Sequence, residues 1–309
     1  MARKKPDLNE LRLCVDRVVP TENAMDAAVL AMTENNANEP PPLIMRPGAP
    51  VHPLEMALAT PKRWNNGRKL RIKFLDGTAK QKKQVQKYAE RWLDYANVGL
   101  DFNGAADAEI RISFRQAGSW SALGTDSLLT NAFPKSEPTM NYGWLRDDST
   151  EAEWRRVVLH EFGHALSAIH EHQNPKAGIK WNLNEVYRVF SGPPNSWSKA
   201  QIDFNIVQKY SVDQLNATDF DAKSIMLYAF SGTLIQGGRP TRNNTDLSTQ
   251  DKQFIAEMYP KQQPVAAAAL ESLEIAAPEA AMAAPRPPAY FGIEQFREAA
   301  ARIHKLRAR

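Results

Sequence analysis

The length, composition and charge of the chain exclude several classes of protein. Its 309 residues are 43% hydrophobic and 24% charged, so the chain can bury a sizeable core without the support of disulfides. The 39 Lys and Arg residues exceed the 35 Asp and Glu residues by only four, which is too little to require nucleic acid or an anionic membrane as partner. The single cysteine, Cys14, excludes an intramolecular disulfide and a cysteine-rich zinc site.

No segment has the features of a membrane span or of an ordinary export signal. No run approaches the roughly 18 uncharged apolar residues that a transmembrane helix needs. The basic N-terminus carries Asp7, Glu10 and Asp16 where a secretory signal needs an apolar core. We therefore expect no transmembrane segment and a protein that is either cytoplasmic or exported by a leaderless route; the sequence does not predict the oligomeric state.

Residues 1–60 form an N-terminal extension and a candidate pro-segment. The run PTENAMDAAVLAM predicts a short helix capped by Thr21, and the Pro-rich run EPPPLIMRPGAP predicts a connector. His52 lies in this connector, and we expect it to be exposed because no other candidate ligand is near it.

Residues 61–260 predict a domain of mixed α and β structure. The run RKLRIKFLDG predicts a strand, residues 78–98 an amphipathic helix, and the runs GLDF and AEIRISF two further strands. Two later helices have recognisable N-termini, one capped by Ser149 or Thr150 and the other by a capping box of Ser248 and Asp251. The order strand, helix, strand, strand indicates a mixed sheet.

The C-terminal 49 residues differ in composition from this domain. Residues 261–289 are rich in Ala and Pro, which is typical of a linker. Residues 290–309 predict a basic helix, which either packs on the domain, docks on a partner, lies on a membrane surface or serves as a sorting tail. His304 within it is expected to be exposed. Bases are also frequent in residues 61–100, but the aromatic residues there fall on the apolar side of a helix, which argues against nucleic-acid binding.

The run HEFGH, residues 160–164, is the segment that indicates chemistry. His160 and His164 are four residues apart, so on a helix they lie about 40° apart around the axis and can bind one metal ion. Glu161 lies beside that ion, where a carboxylate that is not a ligand can take a proton from a zinc-bound water as the water attacks a carbonyl. The five-residue motif also occurs by chance, so it is only moderately specific.

A third histidine, His170, makes the pattern much more specific. On a straight helix His170 would lie about 9 Å further along the axis than His164, out of reach of the same ion. The chain must therefore leave the helix near Ser167 and fold back, so that three histidines bind one zinc ion and a fourth position stays open. An open position is typical of a catalytic zinc site.

The run HEFGHALSAIH resembles the signature HExxHxxGxxH of the metzincin zinc peptidases, and SIMLY, residues 224–228, resembles the Met-turn of their astacin-like branch. The resemblance covers about residues 61–260 and implies an α+β fold with a twisted mixed sheet, an active-site helix and a Met-turn. It implies that Met226 is a hydrophobic floor under the zinc and that Tyr228 is a switchable ligand whose hydroxyl stabilises the tetrahedral intermediate. Without the family, both would be ordinary core residues.

Three features depart from the family pattern. Ser167 stands where the family has a glycine with positive φ, which costs about 1–2 kcal/mol. Leu227 stands where astacins usually have histidine, and the lack of disulfides makes bacterial-type members the better comparison.

Glu171 matches the astacin pattern and is expected to support the site, the alternative being a surface carboxylate. His172 lies outside the pattern and is expected not to be a ligand.

The family resemblance also concerns substrate binding and latency. Family members bind an extended substrate antiparallel to an edge strand, which we place near Thr139–Gly143, and the loop between Tyr228 and Leu247 is expected to form the pocket for the residue after the scissile bond. Cys14 is either a small buried hydrophobe or a thiol that occupies the zinc site, as in matrixin proenzymes. The run LRLCVDR does not match their pro-segment motif, so the buried hydrophobe is the favoured interpretation.

These features together predict a zinc-dependent metalloendopeptidase with one catalytic zinc ion and a protein or peptide substrate. His160, His164 and His170 are the expected ligands, and Glu161 and Tyr228 the expected catalytic residues. The alternative is a non-catalytic zinc module that binds extended peptide segments. The presence of Glu161 argues against that alternative, because metal binding alone needs no base.

Overall fold

The computed structural model of the protein describes residues 13, 14, 17, 19–38, 60–192, 195–209 and 219–261. The strands are β1 (Lys69–Phe74), β2 (Gly99–Asp101), β3 (Ile110–Ser113), β4 (Ser119–Ser121) and β5 (Met140–Tyr142). The helices are α1 (Ala24–Glu34), α2 (Ala79–Ala89), α3 (Glu151–Ala165), α4 (Leu183–Phe190), α5 (Lys199–Ile202) and α6 (Thr249–Met258). The predicted connector with His52, nearly all of the predicted linker, and the predicted C-terminal helix with His304 lie outside these residues.

The five strands form one mixed sheet in the order β2-β1-β3-β5-β4. Neighbouring strands are parallel except for β4, which runs antiparallel to β5 with Trp120 opposite Asn141. The mixed sheet is confirmed, but the predicted edge strand is wrong. Residues 140–142 pair with β3 on one side and β4 on the other, so the outer strand at this end is β4, a segment too short to be identified from its own sequence.

Helices α2 and α3 pack against each other and against the sheet. The capping box of Thr78 and Gln81 begins α2, which ends at Ala89 and continues as a 3-10 turn rather than as the longer helix that was predicted. The apolar spacing of these elements puts one face of each into a common core, whose fully buried members include Leu70, Ile72, Ile112, Val85, Trp92, Trp154 and Phe162.

A second core lies beyond α3 and is built largely from irregular segments. It contains α4, α5 and the π-type turn Asp203–Val207 that continues α5. Its buried side chains include Trp181, Phe190, Trp197, Ile206, Phe230 and Leu234. The functional residues lie where these two cores meet, because the segment of residues 225–228 contributes its first two residues to the first core and Tyr228 to the second.

Helix α6 fixes the C-terminal end of α3. The predicted capping box of Ser248 and Asp251 is present at the start of α6. Beyond its end, the hydroxyl of Tyr259 donates to the carbonyl of Leu166 at 3.2 Å and accepts from the backbone N–H of Trp64 at 3.1 Å. These buried hydrogen bonds fix the position of Leu166, the residue at which the chain leaves α3.

The N-terminal arm, residues 13–38 as far as they are described, lies along the outer strand. Cys14 forms a parallel bridge with Ser119, and α1 packs on the 3-10 turn Gly124–Leu128. The predicted helix exists but begins at Ala24, because residues 21–23 form a 3-10 turn. Among the helices of the described residues, none combines the length and the apolar character that crossing a bilayer requires.

Candidate metal centre

Helix α3 places the first two histidines on one face. The hydroxyl of Thr150 caps the helix by accepting from the backbone N–H of Glu153 at 3.2 Å, as predicted. The helix then runs without interruption through His160 and His164, and both imidazoles are buried. Their four-residue spacing therefore points both rings toward the same space.

The chain leaves the helix where the motif requires it. Ser167 has a φ of 74°, so it adopts the left-handed conformation that is common after a helix C-terminus. The N–H of Ser167 donates to the carbonyl of His164 at 2.8 Å and that of Ala168 to the carbonyl of Gly163 at 2.9 Å. This turn reverses the chain and brings His170 to the other two histidines, as predicted from the spacing.

The three imidazoles converge on one point. Their Nε2 atoms lie 3.2 Å apart for His160 and His170, 3.2 Å for His160 and His164, and 3.0 Å for His164 and His170. Nδ1 of His160 donates to the carbonyl of Ile225 and Nδ1 of His164 to the carbonyl of Ala168, both at 2.8 Å. These bonds put the proton of each ring on Nδ1 and direct the Nε2 lone pair at the convergence point.

This donor set fits a zinc ion. Ligand nitrogens about 2.0–2.1 Å from a tetrahedral ion lie about 3.3 Å apart, close to the spacing observed. Burial and the neighbouring imidazoles lower the pKa of His160 well below its usual value, and burial lowers the pKa of His170 to about 3. Both rings are therefore neutral at pH 7, which is the form that binds zinc, and a cation would relieve the repulsion between the facing lone pairs.

Cys14 belongs to the same group of candidate ligands. Its sulfur and one nitrogen from each of the three histidines all lie within 4.8 Å of one another. The side chain is buried, as the favoured interpretation expected, and it also has polar contacts, because its thiol donates to Glu161. The sequence carried little signal for this role, because the matrixin pro-segment motif is absent and the only hint was a single cysteine in a candidate pro-segment.

Glu161 and Tyr228 border the metal centre. The carboxylate of Glu161 accepts a hydrogen bond from the Cys14 thiol at 3.1 Å, and Glu161 is only 1% exposed. The hydroxyl of Tyr228 donates to the carbonyl of Cys14 at 2.8 Å and lies 3.4 Å from Nδ1 of His170. A carboxylate and a phenol thus face the same point from different sides.

Met226 lies directly under the helix that carries the histidines. A Cβ at Gly163 would come within 2.4 Å of the Met226 sulfur, so the glycine allows the close approach. The turn itself is held by buried Asp251, whose carboxylate accepts from the N–H of Ile225 at 2.8 Å and from the hydroxyl of Ser224 at 2.6 Å. Since the carbonyl of Ile225 accepts from His160, Asp251 also positions a metal ligand; the sequence analysis missed this contact.

Glu171 links the third histidine to the Met-turn. Its N–H donates to the carbonyl of Met226 at 3.0 Å, and its carboxylate accepts from the N–H of Asp221 at 2.9 Å and from the side chain of Asn174 at 3.2 Å. Burial raises the pKa of this partly buried carboxyl to about 7. These contacts fit the expected supporting role better than a surface carboxylate; His172 is not in the ligand group.

A polar pocket opens beside Glu161. It is lined by Cys14, Trp144, Arg156, Val157, His160, Glu161, Ile225, Leu227, Tyr228, Ala229, Asn243 and Asn244. Three of these residues, Ala229, Asn243 and Asn244, come from the loop between Tyr228 and Leu247, where the pocket for a substrate side chain was expected. The side chain of Asn244 also donates to the carbonyl of Ser224 at 2.9 Å, so the pocket wall and the Met-turn are connected.

The mixed sheet, the helix with two histidines, the reversed chain with the third and the Met-turn together define a metzincin-type zinc metallopeptidase of the astacin family, and the chain belongs to this family. It is similar to myroilysin, with 42% identity over 65% of this chain and 97% of the myroilysin chain, and a TM-score of 0.62. A second structure of myroilysin gives 41% identity over 65% of this chain and 86% of the other, with a TM-score of 0.52.

A hatching enzyme zinc-protease from the medaka fish Oryzias latipes, high choriolytic enzyme 1, also matches, with 17% identity over 65% of this chain and 94% of the other and a TM-score of 0.44. No family model matches the chain. No curated protein matches it either.

Proposed function

We propose that the protein is a zinc-dependent endopeptidase in which Glu161 and Tyr228 are the catalytic residues. The observation that carries the proposal is the position of Glu161, whose buried carboxylate lies beside the three-histidine site and is not one of its ligands. Metal binding alone does not need this carboxylate, whereas peptide hydrolysis needs a base at that place. This observation favours an enzyme over a zinc module that only binds peptides.

His160, His164 and His170 would hold the zinc ion, which when bound polarises the scissile carbonyl and makes water a better nucleophile. Glu161 takes the proton of the attacking water and passes it to the nitrogen of the leaving amine, a role typically worth about 10²–10⁴ in rate. Tyr228 donates a hydrogen bond to the carbonyl oxygen as negative charge develops on it, which is typically worth about 10²–10³. Its hydroxyl already donates to a backbone carbonyl in the cleft, that of Cys14.

The substrate would pair with β4, the outer strand. Residues 119–121 have β5 on one side only, and the other side is where Cys14 bridges Ser119. The bridge is parallel, whereas the family resemblance implies an antiparallel substrate. The arm therefore occupies the cleft in the direction opposite to that of a substrate, which would keep its own peptide bonds from being presented for cleavage.

We further propose that residues 1–60 are a pro-segment that keeps the enzyme latent, ahead of a catalytic domain of residues 61–260. The Cys14 sulfur lies among the candidate metal ligands and donates a hydrogen bond to Glu161. The carbonyl of Cys14 accepts a hydrogen bond from the Tyr228 hydroxyl. One residue of the arm would thus close the fourth metal position and engage both catalytic side chains. On binding zinc the thiol would give its proton to Glu161, the acceptor of its hydrogen bond, and the resulting thiolate binds zinc strongly, so water and substrate would be excluded.

The arm is also anchored away from the metal. Apolar side chains of the arm pack against the outer strand and the turn after it, namely Val19, Ala27, Val29 and Leu30 against Trp120, Ala122, Leu129 and Phe133. At the end of the described arm, the amide of Asn38 donates to the carbonyls of Ala31 and Arg63 at 2.8 Å and accepts from the N–H of Arg63 at 3.0 Å. These contacts would keep the Cys14 thiol close to the metal site, so its effective concentration there would be high.

The catalytic proposal is tested in a Cys14→Ala background, so that the thiol does not block the cleft. Zinc-loaded full-length chains are assayed on casein, with and without Glu161→Gln. Loss of at least about 10³-fold in kcat/KM with one bound zinc per chain is expected. The control is Glu90→Gln at an exposed position directly after α2, which should leave kcat/KM within about twofold of the value for the Cys14→Ala parent. Unchanged hydrolysis in Glu161→Gln would contradict the proposal and favour another base.

The latency proposal is tested by comparing the unchanged chain with Cys14→Ala. We expect casein hydrolysis to rise by roughly tenfold or more in the variant, since the thiol competes with water for the metal. A thiol-blocking organomercurial should produce the same rise in the unchanged chain and none in the variant. Equal rates with and without the thiol would show that Cys14 does not control access.

A further inference from the structure

His172 is a buried histidine that the zinc site does not use. It is 0% exposed and lies two residues after His170 in the 3-10 turn Glu171–Gln173. Its ring lies 5.3 Å from the ring of His170, measured between centroids, but it is not in the group of candidate ligands. A fully buried polar ring needs a structural or functional reason, because burial of its polar atoms is costly unless they are hydrogen-bonded.

The π-type turn Asp203–Val207 supplies one partner for this ring. Nε2 of His172 lies 2.9 Å from the carbonyl oxygen of Asn205, and a carbonyl can only accept, so the proton is on Nε2. The next residue makes a parallel contact, because the side chain of Gln173 donates to the carbonyl of Phe204 at 2.9 Å. The bond to Asn205 restrains the His172 ring, and the bond of Gln173 ties the same 3-10 turn to the π-type turn.

The face of the fixed ring lies against Tyr228. The two rings are stacked with centroids 4.8 Å apart and an interplanar angle of 28°. Trp181 and Phe230 meet His172 edge-on at 6.2 Å and 5.1 Å, so the imidazole is confined on its sides as well. Tyr228 therefore contacts two histidine rings at once, since the centroid of the metal ligand His170 lies 4.2 Å from that of Tyr228 and the three rings form a triangle.

We propose that His172 is a positioning residue that holds the phenol of Tyr228 at the reacting carbonyl; this rests on the proposed role of Tyr228. In the present rotamer the Tyr228 hydroxyl donates to a carbonyl in the cleft, that of Cys14. A smaller residue at 172 would leave a gap on one face of that ring and let it turn away. A phenylalanine would keep the stacking contact and lose the bond to Asn205.

The test is a double-mutant cycle with casein as substrate. In the Cys14→Ala background, His172→Ala should lower kcat by about tenfold or more with KM within about twofold. His172→Phe should recover part of that loss. Because the effect passes through the phenol, adding Tyr228→Phe to His172→Ala should lower kcat by less than about twofold more. If the two effects multiply instead, His172 acts independently of Tyr228 and the proposal is wrong.

Two measurements without substrate separate positioning from general damage. Bound zinc should stay at one per chain in His172→Ala; loss of the metal would instead assign His172 to the support of the ligands. A crystal structure of His172→Ala with Cys14 present should show the Tyr228 hydroxyl beyond hydrogen-bond distance of the Cys14 carbonyl. A retained bond would overturn the proposal. This structural result decides the role of His172 even if the parent chain hydrolyses nothing, in which case the catalytic proposal alone fails.

Discussion

The two halves of the metal centre are held in different ways. His160, Glu161 and His164 lie on one regular helix, so their relative positions follow from its 3.6-residue period. His170 and Tyr228 lie on irregular chain, and their positions depend on a left-handed residue, on hydrogen bonds to the Met-turn and on ring packing. A regular helix therefore fixes the motif locally, while the other half depends on contacts between residues far apart in the chain.

The largest expected effect comes from replacing a metal ligand that lies on the helix. His164→Ala leaves two imidazoles at the site, and we expect zinc content to fall below about a tenth of an ion per chain after dialysis, with loss of casein hydrolysis. The helix should persist, because its cap at Thr150 and its core side chains remain. Metal analysis and far-UV circular dichroism check both points. A chain that keeps its zinc would show that the helical half is less essential than its regular geometry indicates.

The second-largest expected effect comes from Asp251, which holds the Met-turn in the non-helical half of the metal centre. Asp251→Ala removes the acceptor of the Ile225 N–H and the Ser224 hydroxyl, and leaving these buried donors unpaired should cost about 2–4 kcal/mol of unfolding free energy. Zinc affinity should fall as well, since Ile225 positions His160. Urea unfolding with and without zinc measures both effects. The matched control is Asp246→Ala in an exposed ion pair, which should cost no more than about 1 kcal/mol.

The same contrast explains what the sequence could predict. The spacing of His160, His164 and His170 predicts both the shared metal and the turn at Ser167, because helix geometry allows no other way for the third ring to arrive. The outer strand and the role of Cys14 were not predictable. The outer strand depends on the antiparallel pairing of β4 with β5, and the role of Cys14 depends on its bridge with Ser119, more than a hundred residues away. No local period records such pairings.

Glu109, a carboxylate outside the metal centre, provides a stability change with which the effects on both halves of the metal centre can be compared. Burial alone would raise the pKa of Glu109, but hydrogen bonds from the side chain and backbone of Arg71 outweigh it and hold the pKa below the usual 4.5. The stability that Glu109 adds is therefore present above pH 4.5 and is lost as the pH falls through the lower, folded-state pKa. Glu109→Gln should cost about 1 kcal/mol at pH 7, discounted because Arg71 is partly exposed.

Thermal unfolding at pH 7 and at progressively lower pH checks this expectation. The difference between the unchanged chain and Glu109→Gln should narrow as the pH falls below 4.5. Zinc content should be the same in both chains, since the hydrogen bonds of the Glu109 carboxylate are to Arg68 and Arg71 and not to a metal ligand. A difference that grows on acidification would have the wrong sign for a carboxyl with a lowered pKa.

The smallest expected effect comes from relieving backbone strain at Ser167, in the turn that joins the two halves of the metal centre. Ser167→Gly removes the side-chain penalty of a positive φ of 74°, but glycine loses more backbone entropy on folding. The balance should be a gain of about 0.5 kcal/mol in unfolding free energy, with zinc content unchanged. Ser167→Ala is the matched control and should show no gain. A loss of stability in the glycine variant would indicate that the Ser167 hydroxyl has a role of its own.

The close contact between Gly163 and the Met226 sulfur restricts how this active-site helix can be redesigned. Alanine is the stronger helix former by about 1 kcal/mol, so an engineer seeking a more heat-resistant enzyme would be tempted to replace the glycine. A methyl group there would come within 2.4 Å of that sulfur, so the flexible end of the Met226 side chain would have to shift. The gain in helix propensity would therefore be offset by repacking under the helix that carries two of the histidines, and a thermostability library should treat position 163 apart from the other positions of this helix.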